Sequence, residues 1–342
     1  MGTQSSDIAS RLGVGFTPFE DRVDVIDRVA AHAELRGLAF VSVAEAMSLA
    51  APIVLARLAQ QTRRIELRSG VLSVWSRTPA TLALTAAELQ RSSGGRFALG
   101  LGASTQPITE GFHGQPWQAP LDRLRRTLVA VGALLRGERL PDPADGSRPL
   151  QLGCPPEVPV PIGVASITPA SIRLTGALAD EWIPFLLPPA GLDAGRELLA
   201  AGASDQRRPS LPAVSAGVPV ALAEDEAGAR AIAARWLVTY TTRMGPVYPK
   251  VLRAHGYQPE LDALLEANTD PRHPTLPEKA TRLAEDVLLF GTYDNAPDLV
   301  RRWLAHADSV ALVAPFGLPE AAIAATIDAV TMRPESEFGS VA

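Results

Sequence analysis

The stretch GGRFALGLGAST (residues 94–105) runs from a double-glycine turn through a short apolar segment into Gly-x-Gly. A dinucleotide fingerprint, Gly-x-Gly-x-x-Gly, needs its third glycine where a helix opens. Thr105 holds that place here, and Pro107 and Gly111 follow before any helical pattern. The stretch is a poor dinucleotide signal. Its meaning depends on how many similar units flank it.

Apolar runs of strand length recur along the chain. Strands are expected at 13–16, 38–44, 64–72, 96–102, 160–166, 181–187, 215–222 and 309–317. Short, continuously apolar strands indicate burial on both faces, as in a parallel sheet. Between them lie helical patterns such as Leu121, Leu124, Leu128, Val131 and Leu135, spaced three or four apart. Eight strand–helix units predict an α/β fold, a (β/α)8 TIM barrel, expected as a single domain over 1–342. Residues 141–161, with seven prolines, read as an excursion before the fifth strand. Residues 223–308 are too long for one step and read as a helical insertion before the last strand. Gly100 and Gly102 would then sit at the C-terminal end of a barrel strand, where barrel enzymes place their sites. They either let a ring or phosphate approach the backbone or relieve crowding inside the barrel.

Composition narrows the partners. With 46% hydrophobic and 20% charged residues, the chain can bury a large core. Lys and Arg number 32 against 37 Asp and Glu, a formal charge of −5, and no basic block stands out. Nucleic acid and membrane surfaces are not expected as partners. Cys154 is the single cysteine, which excludes an internal disulfide and a cysteine metal site and suits a cytoplasmic setting. The polar N-terminus lacks a secretory pattern, although Gly2 and Ser6 fit the start of a myristoylation signal. The near absence of lysine (Lys250 and Lys279 only) reads as bacterial. No histidine pair has metal-ligand spacing with a third ligand nearby, so no metal is expected. His32, His255 and His306 fall in helical patterns and read as surface or packing residues. No Gly-x-Ser-x-Gly elbow and no Walker loop appears.

Laid end to end, RSGVLSVWSRTPATLALTAAELQRSSGGRFALGLGAST and the EGFHG that follows resemble the bacterial luciferase-like superfamily. The likeness is greatest to its deazaflavin (coenzyme F420)-dependent oxidoreductase branch. The matching positions are Pro79, Ala83, Ala87, Leu89, Ser93 to Arg96, and Glu110 to Gly114. VPIGVASITPASIRLTGALADEWIP resembles the branch's fifth strand, phosphate loop, helix and sixth strand, and FGTYDNAPDLVRRW resembles its approach to the eighth strand. The likeness spans about residues 13–330. It implies a barrel that binds deazaflavin or FMN across its C-terminal mouth, with hydride transfer at the ring, and a non-proline cis peptide at Gly70–Val71 backing the ring. It also implies cofactor contacts from Glu45, Ser69, Gly70, Val71, Ser73, Ala103, Ser104, Ser166, Thr168 and Ser171. Glu45, Glu110 and His113 are the catalytic candidates, with an apolar mouth lined by Phe16, Trp75 and Phe185. Glu110 alternatively serves as a helix-opening carboxylate, His113 as part of a turn, and Trp75 and Trp182 as core. A small-molecule substrate and a second copy of the chain are the expected partners.

The chain also departs from the branch. Ala46 stands where many relatives have a histidine, and Thr105 where sugar-phosphate dehydrogenases have a glutamate. The phosphate loop lacks a cation at Ala170, and Pro188 stands where some relatives carry lysine. Glu181 replaces a glycine and is expected near the phosphate, with Arg243 as the compensating cation. Three readings stay open: a deazaflavin enzyme, an FMN monooxygenase, or a cofactor-free barrel acting as an isomerase, cyclase or binding protein.

Overall fold

The computed structural model describes residues 8–331; the expectations for 1–7 lie outside the described residues. Ten strands, all parallel, run in the order β1 (Leu12–Phe16), β2 (Phe40–Val43), β3 (Glu66–Ser69), β4 (Leu72–Ser73), β5 (Phe97–Gly102), β6 (Ile162–Ala165), β7 (Glu181–Trp182), β8 (Ala213–Ala223), β9 (Leu289–Thr292) and β10 (Ser309–Ala314). β10 pairs with both β1 and β8, which closes the ring. β3 and β4 are two pieces of one interrupted barrel strand, and both pair with β5. Eight strand positions therefore form a (β/α)8 barrel. All eight expected strands are present; β1 and β8 run longer than expected, the third is split and ends one residue later, and the others are shorter.

Strand alternation sorts the side chains. Val14, Leu312 and Ala314 face outward against Ile323 and Ile327 of the last helix, Glu320–Thr331. Phe16 shares their parity and is buried there, so it does not line the mouth. The inward positions nearer the C-terminal ends include Gly15, Gly100 and Gly102. A Cβ at Gly15 would lie 3.3 Å from Val313, and one at Gly102 would lie 2.8 Å from Val71. At Gly100 it would run into the Ser69 carbonyl. Crowding against the interrupted strand therefore accounts for the two glycines of Gly-x-Gly.

Two regions differ from expectation. Leu289 to Thr292, inside the stretch read as a helical insertion, form β9 instead. This strand pairs with Val220 to Ala223 of β8, which overshoots its pairing with β10. An unpaired strand edge outranks the weak helical preference of LLFGT. The insertion otherwise holds the expected helices, Glu226–Thr242, Val247–Ala254, Gln258–Ala267 and Thr281–Val287. They gather a second apolar cluster around Trp236, Leu261 and Leu283. Residues 141–161 contain no helix or strand.

The second departure is Glu181. It is the first residue of β7, at the barrel's N-terminal end, whereas the Thr168 loop follows β6 at the opposite end. The ten-residue helix Pro169–Leu178 separates them, a rise of roughly 15 Å. The carboxylate therefore does not crowd the phosphate loop. It meets Arg68 at 2.7 Å, and Arg68 also donates to Ser215 Oγ at 3.0 Å and to Glu66 at 2.6 Å. Ser309 donates to Ser215 at 2.9 Å, and the guanidinium lies over the Phe40 ring at 3.7 Å. This polar group plugs the lower barrel, with the Arg68 and Glu181 side chains 15% and 13% exposed.

Burial pushes the Glu181 carboxyl above its ordinary value despite the opposing pull of Arg68. A raised folded-state value contributes stability that is complete below the unfolded value and is lost as pH rises through the folded one. Arg68→Ala removes the pull and leaves a buried carboxylate unpaired. Urea unfolding should show a loss of about 3–5 kcal/mol at pH 8 and a smaller loss at a lower pH, as the carboxyl takes up a proton. An equal loss at both pH values would mean that the charge of Glu181 is not what Arg68 supports.

Candidate active site

The C-terminal ends of the strands form a mouth with three built regions. The first is the interruption between β3 and β4. The Gly70–Val71 peptide is cis, as the resemblance implied. Ser69 is fully buried; its hydroxyl donates to the Gly100 carbonyl at 3.0 Å and accepts the Gly100 N–H at 2.8 Å. That hydroxyl serves the β5 backbone. The Val71 side chain lies against Gly100 and Gly102, and a Cβ at Gly70 would strike the Ser42 hydroxyl.

Glu45 follows β2 and approaches this interruption, its N–H 3.4 Å from the Val71 carbonyl. Its carboxylate is 8% exposed and is held at both oxygens by Arg77, with Nη2 3.0 Å from Oε2. Oε2 also accepts the Ala51 N–H at 3.0 Å, at the start of the helix Ala51–Gln61. A charge-assisted, two-pronged pair of this kind fixes geometry. Arg77 was not visible as its partner in the sequence, because nothing in the spacing links residues 32 positions apart.

The second region is the lip made by β4, β5 and the turn after them. Ser73 Oγ accepts the Trp75 N–H at 3.2 Å, and the Trp75 indole donates to the Ala103 carbonyl at 2.7 Å. Ser104, next along, adopts a left-handed conformation (φ 63°) at the exposed rim. Arg123 donates to the Val74 carbonyl at 3.1 Å and lies 5.4 Å from the Trp75 ring. Trp117 packs against the same ring at 5.6 Å. Glu110 is exposed, accepting from the Gln106 side chain at 3.0 Å and the Trp117 N–H at 3.1 Å. His113 is half-buried, edge-on to Phe112 at 5.2 Å. Trp75, Ala103, Glu110 and Trp117 are thus one connected lip.

The third region is the loop after β6. Ser166 is buried and shares a 2.9 Å hydrogen bond with Thr175, and its carbonyl accepts the Trp182 indole at 2.7 Å. Trp182 is fully buried and belongs to the core. Thr168 and Ser171 are joined at 2.7 Å between hydroxyls, and Ser171 Oγ also accepts the Thr168 N–H at 3.2 Å. They order the first turn of Pro169–Leu178, whose N–H groups open outward as an anion-binding end. Ala170 there is exposed and supplies no charge. Arg243 caps the end of Glu226–Thr242; it is exposed, and its guanidinium has no ion-pair partner among the described residues.

Elsewhere, His32 and His306 pair with Asp328 and Asp193 at 2.7 and 2.9 Å, away from the mouth. No group of three or more His, Cys, Asp or Glu could hold a metal among the described residues. No helix among them is long and apolar enough to cross a membrane.

The sequence profile of luciferase-like monooxygenases matches residues 6–313. A Mycobacterium tuberculosis protein named for coenzyme F420-dependent oxidoreductase activity is 27% identical over 303 residues, covering 81% of this chain and 86% of the relative. Among solved structures, the coenzyme F420-dependent tetrahydromethanopterin reductase of Methanopyrus kandleri superposes with a TM-score of 0.74 at 20% identity, covering 96% of this chain and 99% of that one. The oxygenating constituent of 3,6-diketocamphane monooxygenase from Pseudomonas putida, in complex with FMN, reaches 0.68 at 18% identity, covering 94% and 97%. At these identities the structural likeness establishes the fold.

The Glu45–Arg77 clamp has a testable consequence. Arg77→Ala leaves a nearly buried carboxylate without its cation and should lower stability by about 1–3 kcal/mol. Hydrogen exchange at the Ala51 amide, held by the same carboxylate, should quicken. Unchanged exchange there would mean that Glu45 holds the loop without Arg77.

Proposed function

We propose that this chain, which belongs to the luciferase-like monooxygenase family, is a deazaflavin-dependent oxidoreductase that reduces an activated C=C, C=N or C=O bond of a small organic substrate. The observation that carries the reading is the mouth itself. The interrupted third strand borders an interior lined by Gly15, Gly100 and Gly102, and the helix Pro169–Leu178 begins after β6, on the far side of β5. These parts fit a flat ring with a phosphate-bearing tail. When bound, the reduced deazaflavin supplies a hydride.

In this reading the backbone at 69–71 backs the ring, with Ser73, Ala103 and Ser104 along one edge. Ser166, Thr168 and Ser171 shape the turn whose N–H groups take the phosphate, and Arg243 approaches from the insertion. Glu45 and Glu110 act as positioning residues, because hydrogen bonds within the chain already engage both oxygens of each carboxylate. His113, without such partners, is the remaining group for proton work at the mouth. A homodimer in the cytoplasm completes the proposal. The exposed Ile53 and Leu84, on neighbouring helices, support self-association.

One observation favours FMN as a second reading. The loop offers N–H groups and hydroxyls without a fixed cation at Ala170 or Pro188, which suits a single phosphate better than a tail with several negative charges.

Equilibrium titration with deazaflavin and with FMN decides between them. Binding of deazaflavin in the micromolar range is expected, and no binding of either compound at high micromolar concentration would leave a cofactor-free barrel. Ala170→Lys should tighten deazaflavin binding by about one to two orders of magnitude, the worth of one charged hydrogen bond, and Arg243→Ala should weaken it. Substitution at Glu181 should leave affinity unchanged, since that residue lies at the other end of the barrel.

A further inference from the structure

The upper interior of the barrel ends on Phe185, just beyond β7. Its backbone bridges Gly217 of β8, and a Cβ at Gly217 would lie 3.0 Å from its ring. The insertion closes over this ring. Tyr240 packs on it at 4.9 Å, Trp236 at 6.2 Å and Tyr248 at 6.3 Å, and the two tyrosines meet edge to face at 5.1 Å. Trp236 uses its indole N–H on the Val220 carbonyl at 2.8 Å.

The phenols differ from that indole. Tyr240 is 5% exposed and Tyr248 is half-buried, yet neither hydroxyl has a hydrogen-bond partner among the described residues. Neither is a sealed orphan either; the unpartnered side-chain atoms closed off from solvent are Thr109 Oγ1 and Glu260 Oε2. A buried tyrosine hydroxyl ordinarily finds a partner, because leaving it unpaired is costly. Two adjacent phenols above the barrel mouth, unpaired and still reachable, call for a partner that comes from outside the chain. Burial pushes both phenols up, so both remain donors at neutral pH. The surrounding rings carry no charge.

We propose that Tyr240 and Tyr248 form the substrate-recognising wall of the mouth, and that the substrate is an uncharged, largely apolar molecule whose carbonyl-type oxygen accepts hydrogen bonds from these phenols. This deepens the reduction reading and rests on it only for the reaction at the same mouth. A hydrocarbon of matched shape would gain the ring contacts without the hydrogen bonds. Specificity for the oxygen therefore comes from the phenols.

Ligand-observed NMR titration of the full chain with acetophenone and with ethylbenzene tests this without cofactor. Acetophenone should bind more tightly. Tyr240→Phe combined with Tyr248→Phe should weaken it by about three- to tenfold for each donating phenol, leaving ethylbenzene unchanged. Equal weakening of both ligands, no weakening of acetophenone, or no binding of either would overturn the inference. A deazaflavin titration of the unsubstituted chain, beside its acetophenone and ethylbenzene titrations, keeps the two claims apart. If deazaflavin binds and the oxygen preference is absent, the phenol wall fails and the redox reading stands. If the preference is present and deazaflavin does not bind, the wall stands and the redox reading fails.

Discussion

The hydroxyl of Ser69 holds the barrel together where its third strand is interrupted. Between β3 and β4 the regular ladder to β5 lapses, and this side chain takes both the N–H and the carbonyl of Gly100. A buried backbone group without a partner is expensive, so a strand can be broken inside a barrel only where something replaces its ladder. The repair brings Ser69 and Val71 so close to β5 that only glycine fits at 100 and 102. It also sets the Val71 side chain against Gly100 and Gly102 in the upper interior. Glu45 and Arg77 then brace the neighbouring loop, and Trp75 reaches Ala103 across the same gap.

The chain separates its charges along the barrel axis. Arg68 and Glu181 lie in the lower interior, where their hydrogen bonds can be completed by Ser215, Ser309 and Glu66. The upper interior has glycines, Val71, Val313 and the aromatic group on Phe185. A buried ion pair is weak support for stability in itself, but at the lower end it fills space without intruding on a ligand. Barrels of this architecture keep stability at one end and chemistry at the other. At the other end, Glu45, Arg77, Glu110 and Arg123 are each tied into hydrogen bonds within the chain.

The strand–helix rhythm was legible because each barrel strand is a short apolar run between turn signals, and the resemblance around residues 69–114 located the mouth. What could not be read was position along the barrel axis and pairing across it. Glu181 follows the phosphate loop closely in sequence, yet the helix Pro169–Leu178 carries the chain to the far end before β7 begins. Phe16 has the composition of a mouth residue but the wrong parity. β9 exists because β8 overshoots, a fact about β8's neighbours that LLFGT does not carry. The phenols of Tyr240 and Tyr248 lie either side of Arg243, the residue whose charge drew notice, and only the packing on Phe185 distinguishes them.

In the proposed complex a deazaflavin ring lies against the Gly70–Val71 segment with its phosphate at the helix that begins after Thr168. A crystal structure of the chain grown with saturating deazaflavin tests this directly. Ring density against residues 69–71 is expected, with a phosphate within hydrogen-bonding distance of the N–H groups at 170–171. A ring bound elsewhere, or a mouth filled by Phe185 and the tyrosines with no ring at saturation, would contradict it.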